Sequence, residues 1–414
     1  MGYCFFMKQT KTNLPSTSSL GADRSHGYDP DYQTDPFTAF DSVNSNTKLE
    51  VLNLNWRESD LPERIRTKHV HRLHPYLGKF VPQLVEIFLR KFAPTTVCDP
   101  FCGSGTTLVE AASLGINAIG CDISEFNTLM TRVKTGKYDL SLLKYEINDA
   151  LERALGTNQL SLLEQKAEYN VSDYLQSWFA PQALDSLLAY RKHIEDYTYS
   201  DVLRVILSRA ARSARLTTHF DLDFPKQPQT EPYYCYKHSR TCRPTKNSAQ
   251  FLKRYSNDTL KRIREFADVR KNVAVLVTTD DTRRAQFPKY DLVVTSPPYV
   301  GLIDYHEQHR YAYELLGLEW KAEEEIGPAT KGSSQRAQAE YVKKMIDSFE
   351  NVKKRLSKGG RMVVIVNDKY GLYEKIQKQI GVTLETRLER HVNRRTGRRA
   401  GDFFESVLIW AAKG

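Results

Sequence analysis

Between Phe80 and Phe92 the apolar residues Val81, Leu84, Val85, Phe88, Leu89 and Phe92 fall three and four apart, the period of a helix with one buried face. A short apolar strand at Val97–Cys98 then runs into a Gly-rich turn. A helix follows from about Thr106 to Leu114, stopped by Gly115, and a second strand, Asn117 to Cys121, ends at Asp122. That strand–turn–helix–strand unit is the building block of a doubly wound sheet. From about 125 to 270 the pattern is mostly helical, with periodic segments at 173–195, 201–214 and 249–268. A loop over 217–246, dense in Pro, aromatic and basic residues, breaks it. Strand patterning resumes in NVAVLVTTDD and YDLVVTSPPY, a helix runs through 340–356, and Gly359–Gly360 turn into the strand RMVVIVND. Two last strands are joined by a loop rich in Arg and Gly. Residues 1–45 are polar and aperiodic and read as a mobile arm, with order from about Leu49. The pattern predicts an α/β fold: a mainly parallel sheet flanked by helices, with a largely helical insertion over 136–270.

Composition narrows the class without deciding it. Lys and Arg outnumber Asp and Glu by 60 to 50 over 414 residues, a net charge of +10. That balance suits a polyanionic partner such as nucleic acid, and it also suits simple solubility. Six cysteines in a chain this long do not make a disulfide scaffold. Cys98, Cys102 and Cys121 lie in or beside the first strands, where small apolar thiols pack well, and a reducing, cytoplasmic compartment fits that usage. No run of 18 apolar residues exists, so no membrane span is expected, and the start MGYCFF is neither a signal peptide nor a myristoylation site.

Gly103 and Gly105 permit a tight strand-to-helix turn with close backbone approach, and the helix start behind them offers free N–H groups. Asp122, one strand on, is placed to accept from ribose hydroxyls. These features alone would also suit a dinucleotide enzyme. The full string DPFCGSGTTLVEA, however, resembles the cofactor motif of the S-adenosylmethionine-dependent DNA amino-methyltransferases. The resemblance implies a Rossmann-like methyltransferase fold and S-adenosylmethionine as cofactor. It places Asp99, Phe101, Gly103, Gly105 and Thr106 at the methionine end, and Asp122 with Ile123 at the ribose and adenine. HPYLGKFVPQL resembles the segment that closes over the methionine moiety, which implies Lys79, Phe80 and Pro82; the alternative is a helix start packed on the sheet. Residues 46–135 would then be the cofactor-binding half and 271–414 the catalytic half, with 136–270 the candidate target-recognition region.

TSPPY follows the strand DLVV. Two consecutive prolines force a stiff, extended segment just past a strand end, where open α/β sheets bind ligands. The segment resembles the SPPY-type motif of the same family, implying a catalytic set of Ser296, Pro297, Pro298 and Tyr299. The Ser296 hydroxyl and the Pro297 carbonyl would hold the base's amino group toward a tetrahedral shape, localising its lone pair, and Tyr299 would stack on the extruded base. Serine at the first position is commonest among cytosine-N4 enzymes, so transfer to cytosine N4 is favoured, with adenine N6 the alternative because cofactor motifs precede the catalytic one here. RNA and protein-glutamine methyltransferases carry a related motif, usually with Asn or Asp at that position. Asp281, with Asp280 as alternative, aligns with the acid that contacts the cofactor's adenine. Asp304, Tyr305 and His306 either border the base pocket or cap a helix.

The implied partner is double-stranded DNA, in a prokaryotic, nucleoid-associated setting, with a cognate restriction endonuclease as a separate chain compatible with that role. The target base has to leave the stack to be reached. Two basic stretches suit phosphate contact, unless they are solvated loops: Arg240 and Arg243 among the aromatics of 217–246, and Arg390, Arg394, Arg395, Arg398 and Arg399 in 387–399. Cys235, His238 and Cys242 form C-x2-H-x3-C, but no adjacent fourth ligand is evident and methyl transfer requires no metal, so none is expected.

Overall fold

The computed structural model describes residues 37–412, except 58, 79, 157–170, 220, 222–224, 237 and 393–403. Its centre is a seven-stranded sheet in the order β5 (Val275–Thr279), β2 (Asn117–Asp122), β1 (Thr96–Asp99), β6 (Tyr290–Thr295), β7 (Leu356–Val366), β9 (Phe404–Ala412) and β8 (Val382–His391). β9 alone runs against the others, between β7 and β8. The chain fills one side of β1 with β2 and β5, then crosses to the other side with β6. The carboxyl ends of β1 and β6 therefore flank the point where strand order reverses, and a crevice opens there.

The inner strands are covered on both faces, which explains the nearly unbroken apolar runs of β6, β7 and β9, whereas the edge strands β5 and β8 stay partly exposed. Side-chain alternation sorts them: Leu292 and Val294 of β6, with Val363 and Ile365 of β7, meet the helices Pro82–Phe92 and Thr106–Leu114. Val293, Met362, Val364 and Val366 point the other way, toward Gln335–Lys353 and Leu372–Ile380. Helices of the insertion (Leu140–Gly156, Asp173–Trp178, Pro181–Lys192, Ser200–Ala214 and Ala249–Ala267) form a third apolar cluster. Val109, Phe126 and Tyr311 belong to it as well, so the insertion is continuous with the sheet's own helices.

The periodicity misses three features. The end of the expected mobile arm is packed: Phe37, Phe40 and Val43 join the apolar cluster above the sheet, and Thr38 N–H donates to the Asn53 carbonyl at 2.9 Å. Three apolar residues in a polar stretch are too few to register as a period. The segment expected as a loop over 217–246 contains a hairpin, β3 (Tyr233–Cys235) with β4 (Arg240–Cys242), whose three-residue strands are too short for an alternating signal. Gly359–Gly360 lie inside β7, at an irregularity opposite Tyr290 and Leu292, and do not precede it.

Candidate active site

The turn after β1 depends on its glycines. Gly103 sits at φ +49° and Gly105 at φ +80°, a region that costs other residues about 1–2 kcal/mol. Space forbids a side chain too: a Cβ on Gly105 would lie 2.8 Å from the Thr131 side chain, and one on Gly103 2.9 Å from the Tyr76 hydroxyl. Asp122, at the end of β2, ties this turn down. Its Oδ2 accepts from Gly103 N–H at 2.8 Å, and its Oδ1 accepts from Ser124 N–H at 2.9 Å and from the Asn127 amide at 3.1 Å. Burial pushes its carboxyl above the ordinary value even so.

Asp99 lies behind the turn. Its Oδ1 accepts from the Thr295 hydroxyl at 2.7 Å and from Phe101 N–H at 3.2 Å, and the residue is 1% exposed. Burial raises its pKa to about 6, opposed by the hydroxyls of Thr295 and Thr107. The Asp99–Thr295 bond couples the ends of β1 and β6, and Ser296 is the next residue along.

The SPPY segment is braced from behind. The Tyr341 hydroxyl donates to the Pro298 carbonyl at 2.9 Å and meets the Tyr373 hydroxyl at 2.7 Å. The Tyr299 hydroxyl donates to Glu405 of β9 at 3.3 Å and lies 3.5 Å from Ser296 Oγ. Glu405 in turn faces Arg390 of β8 at 3.7 Å. Arg390, expected on a DNA-facing loop, is instead a buried residue of β8 that faces Glu405 across the sheet.

Between the glycine turn and the SPPY segment lies a cleft of about 820 Å³, open to solvent. Phe80, Phe101, Gly103, Thr106, Asp122, Ile123, Asp281, Ser296 and Pro298 line it, which brings both halves of the sequence pattern to one place. Tyr305 also lines it, with its ring stacked on Tyr76 at 6.0 Å. His306 is turned away into the interior: Glu325 accepts from its backbone N–H at 2.8 Å and contacts its ring Nδ1. Asp304 accepts from Thr330 and does not reach the cleft.

A family model described as DNA methylase matches residues 42–131, and one described as RMKL-like, methyltransferase domain, matches 93–174. The Type II methyltransferase M.MjaII of Methanocaldococcus jannaschii is 37% identical, over 84% of this chain and 81% of that protein. The chain belongs to the S-adenosylmethionine-dependent DNA amino-methyltransferase family. M.MvaI of Kocuria varians, another Type II methyltransferase, is 24% identical over 62% of this chain and 57% of its own. Among solved structures, an rRNA methyltransferase, aviRa of Streptomyces viridochromogenes, overlaps 82% of this chain and 88% of its own at 14% identity and a TM-score of 0.30.

S-adenosylmethionine is the cofactor of this methyltransferase family, and the cleft fits it. Its walls are aromatic and aliphatic at Phe80, Phe101 and Ile123, with a carboxylate at Asp122, the mix of apolar surface and few polar groups that small-molecule sites show. Three of roughly four lone-pair positions on Asp122 are already used by the protein, so Oδ2 is the oxygen with capacity for a ribose hydroxyl. Asp281 lines the cleft, yet its carboxylate is clasped by the Arg283 guanidinium and N–H, which holds its pKa below the ordinary value. Asp280 does not line the cleft and faces Arg284 at 3.7 Å. Asp99, Gly105, Pro297 and Tyr299 support the cleft walls from outside its lining, and Pro82 is buried at the start of its helix. Lys79, Arg394, Arg395, Arg398 and Arg399 lie outside the described residues. Tyr76, Ser104, Asn127, Glu324, Glu325 and Ile326 are among the further lining residues. Tyr76 stands inside the quoted HPYLGKF string and Ser104 inside DPFCGSG; Asn127, Glu324, Glu325 and Ile326 carry no local signal in the sequence.

Proposed function

We propose that this DNA methyltransferase acts at the exocyclic N4 of cytosine in a base turned out of the duplex. The observation that carries the reading is that Ser296 stands in the same cleft as the Asp122-held glycine turn. Serine at this place in the SPPY motif favours cytosine over adenine. The cofactor supplies an electrophilic methyl carbon on a sulfonium, and Phe80, Phe101, Gly103, Thr106, Asp122 and Ile123 would hold it. An aromatic amine is a poor nucleophile because its lone pair is spread into the ring. Ser296 Oγ and the Pro297 carbonyl accept the amine's N–H groups and hold its nitrogen toward a tetrahedral shape. Tyr341 and Glu405 brace the neighbouring Pro298 carbonyl and Tyr299 hydroxyl, which stiffens the segment carrying those acceptors before the base arrives, so positioning and pre-set dipoles supply most of the rate gain.

Arg240 and Arg243 are exposed on and beside the hairpin, and with Tyr234 and Tyr236 they suit phosphate and base contact on the DNA. The name Type II methyltransferase, carried by the relatives, supports a site-specific role beside a cognate restriction endonuclease. The test is labelled S-adenosylmethionine with unmethylated genomic DNA, digestion to nucleosides and mass spectrometry. Label in N4-methylcytosine is expected. Label in N6-methyladenine would make motif order, and not Ser296, the guide to the base.

A further inference from the structure

The C-x2-H-x3-C string gains its missing partner in the fold. His219, near the start of the 217–246 segment, is brought to Cys235, His238 and Cys242 with one ligand atom of each within 4.8 Å of the others. We propose that these four residues form a structural zinc site that pins the β3–β4 hairpin to the end of the helix Ser200–Ala214.

The spacing is the first argument. Nδ1 of His219 is 3.6 Å from the Cys235 sulfur, and Nδ1 of His238 is 3.6 Å from Cys235 and 3.5 Å from Cys242. A tetrahedral ion with Zn–S near 2.3 Å and Zn–N near 2.05 Å sets sulfur and nitrogen about 3.6 Å apart. Three sulfur–nitrogen edges match that one figure, and both imidazoles present the same atom. Their rings cross at 70° with centroids 4.6 Å apart, as two ligands on one centre do and stacked rings do not. The Tyr233 hydroxyl accepts from the backbone N–H of His219 at 3.1 Å and lies 2.9 Å from its ring Nδ1. With the ion bound, Nδ1 gives its lone pair to the metal while the tyrosine oxygen keeps the N–H.

The second argument is what the hairpin lacks. Three-residue strands make a marginal hairpin in water unless something apolar backs them. Tyr234 and Tyr236 are 56% and 86% exposed, and neither thiol belongs to any of the three apolar clusters of the described residues. Yet Cys235 and Cys242 are buried, packed on the two histidines. A Cys2His2 centre supplies the order that a small core cannot, with the two thiols releasing their protons as thiolate–metal bonds form. The other close group, His69, His71 and Glu110, is different: Lys68 already neutralises Glu110 at 2.9 Å, so it is an internal ion-pair network.

The test is the metal content of the full chain, purified without a metal-affinity step or chelator. One zinc per chain is expected by elemental mass spectrometry. Cobalt substitution should give thiolate-to-cobalt charge-transfer absorption together with the strong d–d bands of a tetrahedral centre. His219→Ala and the Cys235→Ser/Cys242→Ser pair should each lose stoichiometric metal while S-adenosylmethionine binding, at the remote cleft, reports that the fold is intact. A chain with no stoichiometric zinc would overturn the proposal, as would zinc unaffected by either variant, or a Cys235–Cys242 disulfide in non-reducing peptide maps. None of these readouts depends on which base is methylated.

Discussion

Replacing Asp122 with Ala separates two roles that one carboxylate holds. If Asp122 only met the cofactor's ribose, the substitution would weaken cofactor binding and leave the unliganded protein as stable as before. The structure gives it three protein donors as well: Gly103 N–H, Ser124 N–H and the Asn127 amide, at 2.8–3.1 Å. A hydrogen bond to a charged group contributes about 1.5–3 kcal/mol, so losing the one that Oδ2 can still accept from the cofactor weakens binding by roughly ten- to 150-fold. In the unliganded state three partly buried donors lose their acceptor, a cost of about 1–3 kcal/mol for each that water cannot reach. Removing a carboxylate that burial already disfavours offsets part of this. The expected net loss is about 2 kcal/mol of stability, within the range of broken hydrogen-bond networks. Isothermal titration with S-adenosylmethionine and urea unfolding without it measure the two terms. Unchanged affinity would remove Asp122 from the ribose site. Weaker binding with an unchanged urea midpoint would show that it does not hold the glycine turn.

Three further outcomes follow from the same geometry. Ser296→Ala should slow methyl transfer about 10²-fold, the usual cost of one pre-set polar contact at the reacting group, with cofactor affinity nearly unchanged; single-turnover kinetics decides it, and equal rates would take the serine out of the mechanism. Gly105→Ala should destabilise the chain by about 2–5 kcal/mol, adding the left-handed backbone cost to overlap with Thr131; a loss under about 0.5 kcal/mol would mean that the turn relaxes freely. Asp99 has a folded pKa of about 6 against an ordinary 3.8. Its ionisation therefore disfavours the folded state: no penalty applies well below 3.8, it grows as pH rises, and it is complete above about 6. Relative to Asp99→Asn, the wild type should lose about 2 kcal/mol of stability between about pH 4 and pH 7, and parallel urea midpoints across that range would refute the buried charge.

Much of this protein was written in local sequence. The strand–turn–helix unit at 96–114 is legible because its glycines answer a backbone demand at their own positions, φ +49° and φ +80°. The two prolines after β6 are legible for the same reason, since they stiffen the chain wherever it runs. Strand order was not local, and strand order decides what meets at the crevice. Thr295 reaches Asp99 across 196 positions, Tyr299 reaches Glu405 across 106, and Tyr341 reaches Pro298 across 43. The sequence carries no periodic trace of such pairs, because each partner sits in its own element for its own reasons and the contact exists only once the sheet assembles. Arg390 looked like a DNA ligand beside other arginines until β8 placed it against Glu405. His219 looked like a loop residue until the hairpin folded back onto it. Local chemistry determined which residues could act, and the packing of distant strands and loops decided which of them share a site.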